Sequence, residues 1–210
     1  MSTLRITVKY FIKDPAAVHL PDFIPVFHSW IQARSVEGLL VDVTDYKHVY
    51  QGPGVILIGH EVDYAIDTTG GRPGLLIRRK HLLNGSPPVD TGIGLQDQLR
   101  ASILLALQAC RVLEAEPSLG GKISFRTDEV ELGFPDRLRA PNTPETFETV
   151  RNDILAVTNE LYPAAQVSIQ PASMDVRRTF TASIQIPGAP ALAELVTQLD
   201  RLHPRPGVRN

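Results

Sequence analysis

A chain of 210 residues that is 43% apolar and 21% charged has the make-up of a folded globular protein, not a disordered one. A net charge of −2, with Lys and Arg spread along the chain, lacks the basic footprint that nucleic acid demands and gives no reason to expect an anionic membrane as partner. The single cysteine, Cys110, rules out an internal disulfide framework and a multi-thiolate zinc or iron–sulfur centre.

The N-terminal stretch MSTLRITVKYFIK alternates apolar and polar residues. It has neither the basic start nor the apolar run of a secretory signal, and no window approaches the roughly 18 apolar residues of a membrane span. A soluble, cytoplasmic protein is expected. The alternation over Arg5–Ile12 predicts a strand. Leu20, Phe23, Ile24, Phe27, Trp30 and Ile31 then follow helical spacing, with Asp22 as N-cap and Pro25 in the first turn. Leu39–Val43 reads as a buried strand. Gly52-Pro53-Gly54 signals a turn, and a long strand is expected from Val55 to about Asp67. The run from Thr69 to Gly74 is a hairpin turn feeding a strand over Leu75–Arg79. The polar, Pro-rich stretch Asn84–Pro88 leads to the longest helix, about Leu95–Glu114. Apolar residues cover most of its circumference, so it is either the central helix of the fold or part of a subunit interface.

Glu116–Gly121 marks the best boundary, giving halves of 1–117 and 118–210 that share one sheet or abut as two. The second half reads as a strand over Lys122–Thr127, a short strand over Val130–Phe134, and a helix from about Pro144 to Leu161 started by Asn142 as N-cap. Strands follow over Gln166–Gln170 and Thr179–Ile186. The latter sets Phe180, Ala182, Ile184 and Ile186 against Thr179, Thr181, Ser183 and Gln185. A helix carrying Leu192, Leu195, Val196, Leu199 and Leu202 closes the order. Stripped of extra strands, each half reads β-α-β-β-α. The expected class is therefore α+β: pseudo-duplicated, ferredoxin-like halves, with helices on one face of a mostly antiparallel sheet.

The main polar concentration runs from His28 to Asp67. Imidazole and carboxylate side chains form the ligand set of zinc, iron or manganese, and also an acid–base pair. The ligand-binding candidates are His28, Asp42, Asp45, His48, His60, Glu61, Tyr64 and Arg78. His28, His48 and His60 are the candidate ligands of a divalent metal. Asp42 interrupts an otherwise apolar strand, where a carboxylate needs a partner. Along an unbroken Val55–Asp67 strand, His60 shares an apolar row with Tyr64, while Glu61, Asp63 and Asp67 take the opposite face. Arg78-Arg79-Lys80-His81 ends one strand and reads either as a solvated strand exit or as a grip on a phosphate or carboxylate, since Arg presents a bidentate fork. Arg177-Arg178 enters the corresponding strand of the second half, where an anion site at the pseudo-symmetric position is conceivable. Cys110 lies on the apolar stripe of its helix and reads as a core residue.

Two functions from different classes fit. One is a non-catalytic oligomeric module, associating through the Leu95–Glu114 helix and binding a protein partner or small ligand. The other is an enzyme using the His/Asp/Glu cluster, with or without a divalent metal.

Overall fold

The alternation that opens the chain becomes the middle of the sheet. In the computed structural model, which describes residues 5–80 and 94–202, β1 (Ile6–Ile12) buries Ile6, Val8, Tyr10 and Ile12 on one side. Thr7, Lys9 and Phe11 take the other side, as period two dictates. The remaining strands are β2 (Leu40–Tyr46), β3 (Gly54–Gly59), β4 (Val62–Asp67), β5 (Gly74–Arg79), β6 (Phe125–Phe134), β7 (Ser168–Pro171) and β8 (Phe180–Gln185). They form one sheet in the order β2-β3-β4-β5-β1-β6-β8-β7, antiparallel throughout. The helices are α1 (Phe23–Ala33), α2 (Leu95–Glu114), α3 (Pro144–Leu161) and α4 (Leu192–Leu202). A single apolar cluster joins them to the face bearing Val8, Tyr10, Leu57, Tyr64, Leu132 and Ile184.

The two halves meet in the β1–β6 ladder, where Thr7 stands opposite Gly133 and Lys9 opposite Glu131. Among the described residues the first half contributes five strands and the second three, so the fold is α+β with one antiparallel sheet and four α-helices, and the expected ferredoxin-like pseudo-duplication is not confirmed. No helix among the described residues is long and apolar enough to cross a membrane.

Several elements depart from expectation. The run from Val55 to Asp67 is a hairpin, not one strand. It turns at His60-Glu61, and Gly59 is required there because a Cβ would strike the Val62 carbonyl oxygen. Val55 and Leu57 therefore share the core face with Val62, Tyr64 and Ile66, while His60 leaves the apolar row and is exposed. β2 is an edge strand instead of a buried one, with Leu39 66% and Val41 61% exposed. The two short strands expected over residues 122–134 are a single strand, β6. At α3 the cap is Thr143, whose hydroxyl accepts from the Thr146 N–H, while the Asn142 amide donates to the carbonyls of Ser173 and Asp175.

The wide apolar surface of α2 is used within the chain. One side packs on β1 and β5, and others meet α3 and α4, burying Leu99, Ile103, Ala106, Cys110 and Leu113. That surface therefore supplies no argument for a subunit interface. Deep in this core the Tyr10 and Tyr162 hydroxyls lie 3.1 Å apart, each the polar partner the other needs. The Pro-rich stretch Asn84–Pro88, His81 and the tail after Leu202 fall outside the described residues.

Candidate functional site

The sheet face turned away from the core carries the polar side chains. Two rungs cross its centre. One runs Arg78–Thr7–Gly133–Thr181 and the next Leu76–Lys9–Glu131–Ser183, each read directly from the antiparallel registers. Residues two apart on a strand share a face and stand about 7 Å apart, so the rungs are parallel rows at that spacing. Gly133 matters sterically: a Cβ there would collide with the Thr7 hydroxyl, which lies against its bare Cα with the Thr181 hydroxyl close by. The β4–β5 turn folds over the second rung. Its Arg72 guanidinium stacks on the Phe11 ring at 3.8 Å. The approach to β8 brings Arg177 and Arg178 to the rim. Together these enclose a cleft of about 560 Å3, with none of the four α-helices in its lining.

Five basic and two acidic side chains line this cleft, a local positive excess in a chain whose net charge is −2. The charges differ in how they are matched. Lys9 and Asp67 form a buried pair at 2.6 Å, with side chains 5% and 9% exposed, and the Thr69 hydroxyl donates to Asp67 at 2.7 Å. Arg72 meets Glu129 at 2.6 Å, and Arg126 reaches the same carboxylate at 3.2 Å. Burial alone would raise the Glu129 carboxyl, but the Arg72 hydrogen bond and charge outweigh it and hold the group below the usual range. Glu131 goes the other way. Burial lifts it above the usual carboxylate range despite the attraction of Lys9 and Arg72, and its nearest cation, Arg72, stands 3.9 Å away. Arg177 is engaged by Asp175 at 3.0 Å.

Arg78 and Arg178 differ from these. Across the β4–β5 ladder Arg78 faces Asp63, but that carboxylate is taken by Lys80 at 2.7 Å and by the Gly59 N–H at 3.2 Å. Among the described residues, no carboxylate stands within ion-pair distance of either arginine. The cleft therefore presents two guanidinium groups without a carboxylate at ion-pair distance, Arg178 standing in the field of Asp175. Two hydroxyls are grouped over a glycine, the Thr181 one directed at the Thr179 carbonyl at 3.4 Å. Guanidinium groups can only donate and hydroxyls can donate as well as accept, a set that can receive an oxyanion.

Of the ligand-binding candidates taken from the sequence, Arg78 alone lines this cleft, and the Arg177-Arg178 pair lines it too. The others do not converge. His28 points outward from α1. Asp42 accepts from the neighbouring Val43 N–H at 2.8 Å, which blunts the β2 edge. Asp45 binds the Lys47 N–H at 2.8 Å and its ammonium at 3.0 Å, and these bonds hold its carboxyl below the usual range. His48 is exposed in the loop before β3, its ring 6.3 Å from that of Tyr46. His60 lies at the far end of β3, roughly 17 Å of extended strand away, and its Nδ1 stands 3.3 Å from Glu61. Glu61 accepts the Leu39 N–H, which lowers its carboxyl. The Tyr64 hydroxyl is buried on the core side, donating to the Glu37 carbonyl. No set of three or more His, Cys, Asp or Glu side chains among the described residues is placed to hold a metal ion. The expected histidine metal site and the shared His28–Asp67 pocket find no support in this arrangement.

Thr7, Lys9, Glu131 and Gly133 escaped the sequence reading, while Asp67 and Thr181 were read only as members of polar strand faces. Their signal was present in part: Thr7 and Lys9 are the polar alternates of β1, and Thr181 belongs to the polar row of β8. What joins these rows is strand order, which no local pattern encodes. Comparison of this chain with protein-family models, with curated proteins and with solved structures returned no match.

Proposed function

We propose that the chain is a binding module whose ligand is a small anion held on the outer sheet face. The observation that carries this reading is that Arg78 and Arg178 line the cleft without a carboxylate at ion-pair distance, Arg178 sharing only the field of the Asp175 that binds Arg177, while Lys9, Arg72 and Arg177 are matched. A guanidinium left unmatched beside grouped hydroxyls gains most from an incoming carboxylate or phosphate, because a charge-assisted bidentate contact then forms with little loss of existing pairing. The cleft volume is that of a metabolite site, larger than a bare inorganic ion needs.

Calorimetric titration of the full chain with inorganic phosphate tests the reading. Arg78→Ala and Arg178→Ala are expected each to weaken binding by about tenfold or more, and Arg177→Ala, whose cation is already neutralised by Asp175, by much less. Equal affinity across the three variants, or no binding by the native chain, would refute it.

A further inference from the structure

The cleft has a second pole. Glu131 lies on the same face of β6 as Gly133, two residues along, so its carboxyl is set about 7 Å from the hydroxyl-and-arginine cradle. The groups around it are Lys9 on β1, Arg72 from the β4–β5 turn, Asp67 on β4 and its own-strand neighbour Glu129, with the uncharged Ser183 opposite on β8. Lys9 is committed to Asp67 and Arg72 to Glu129. Glu131 is the one acid lining the cleft that has no hydrogen-bond partner within 3.5 Å among the described residues.

We infer that the ligand is a short-chain organic diacid, one carboxylate held by Arg78 and Arg178 over Gly133 and the other meeting Glu131 in the next rung. This rests on the anion-site reading above and specifies its ligand. Two carboxyl groups that approach closely share one proton, as paired carboxylic acids do, because both cannot ionise side by side. The protonated member then donates and the other accepts, and the attraction of Lys9 and Arg72 offsets the repulsion of Glu129 and Asp67 on the single negative charge that remains. A monoacid fills the first pole and leaves Glu131 unpaired. Binding of the diacid takes up a proton at the Glu131 rung, so affinity falls as the pH rises.

The test is calorimetric titration of the full chain with glutarate, butyrate and inorganic phosphate, repeated from acid to neutral pH. Glutarate is expected to bind about tenfold more tightly than butyrate at the acid end, the advantage shrinking as the pH rises. Glu131→Gln, which keeps a donor but cannot ionise, is expected to retain the glutarate preference without its pH dependence. Glu131→Ala is expected to abolish the preference. Equal affinity for glutarate and butyrate, or a preference that survives Glu131→Ala, overturns the inference. If that happens while Arg78→Ala still removes phosphate and butyrate binding, the anion site stands and only the diacid assignment falls. If Arg78→Ala leaves phosphate binding intact, the anion site falls too.

Discussion

Replacing Lys9 with Met removes a buried charge while keeping the length and packing of the side chain. In the native fold the Lys9 ammonium contacts Asp67 at 2.6 Å, lies 5.2 Å from the Phe11 ring, and has a side chain only 5% exposed. An exposed ion pair of similar length contributes about 0–1 kcal/mol. Here water cannot take the lost partner's place, because the Asp67 side chain is itself only 9% exposed. After the substitution Asp67 keeps the Thr69 hydroxyl, and its charge faces that of Glu131 without the intervening cation. Breaking one member of such a buried pair costs about 3–5 kcal/mol, a large part of the roughly 5–15 kcal/mol by which domains are stable. Removing both charges in Lys9→Met/Asp67→Leu leaves no buried ion and is expected to recover most of the loss. Guanidinium chloride unfolding of the native chain, both single variants and the double variant closes the cycle, with unchanged slopes confirming comparable unfolded states. The loss in Lys9→Met is also expected to change little with added salt, since a buried pair is poorly screened. A cost below about 1 kcal/mol for Lys9→Met, or a double variant as unstable as the sum of the singles, would refute the claim that this pair is a buried, mutually dependent unit.

The raised carboxyl of Glu131 gives a pH signature. A group whose folded pKa lies above its unfolded value near 4.5 favours the native state in acid, and that contribution is lost as the pH rises from the unfolded value through the folded one. Glu131→Gln is therefore expected to unfold at higher denaturant than the native chain at neutral pH, with the gap closing below about pH 4; parallel pH profiles for the two chains would contradict this. In the core, Tyr162→Phe leaves the Tyr10 hydroxyl without its partner at 3.1 Å and is expected to cost about 1–3 kcal/mol, whereas Tyr10→Phe/Tyr162→Phe is expected to lie closer to native stability than that single variant. Cys110 is fully buried, and burial, reinforced by the charge of Glu114, pushes its thiol up. A thiol-specific reagent is expected to modify it no faster than the chain unfolds, and rapid labelling of the native protein would show the core to be open.

Periodicity carried most of the fold. The helices α1, α2, α3 and α4 were legible because each carries an apolar stripe of helical period, and β1 and β8 because theirs has period two. The β3–β4 hairpin was missed for a specific reason. Its turn, Gly59-His60-Glu61, lacks the Asn-Gly or Asp-Gly pair that marks a tight connection. The available clue was a change of phase: the apolar residues of the core cluster are odd-numbered at Val55 and Leu57 and even-numbered at Val62, Tyr64 and Ile66. Two turn residues shift the alternation in this way, and one unbroken strand cannot. β2 misled through composition. Leu39-Leu40-Val41 reads as a buried run, but it borders the sheet, where Asp42 and Asp45 fold back on their own backbone and a register shift between Leu40 and Asp42 disrupts regular pairing.

The site was less legible than the fold because closeness along a β-rich chain is a poor guide to closeness in space. His48 and His60 are only a strand apart in sequence, and for that very reason they end at opposite ends of β3. Lys9 and Asp67 are 58 residues apart and touch, as do Arg72 and Glu129 at a separation of 57. Antiparallel pairing brings together residues equidistant from a turn, and β1 lies between β5 and β6, so each rung of the cleft draws on at least three segments of the chain. A polar side chain gains functional weight in such a sheet from two facts together: its parity within its own strand, and the neighbours that strand order gives it. Parity was readable for Thr7, Lys9, Arg78 and Thr181. The neighbours were not, and they decide which arginine is neutralised by a carboxylate and which is left to meet an anion from solution.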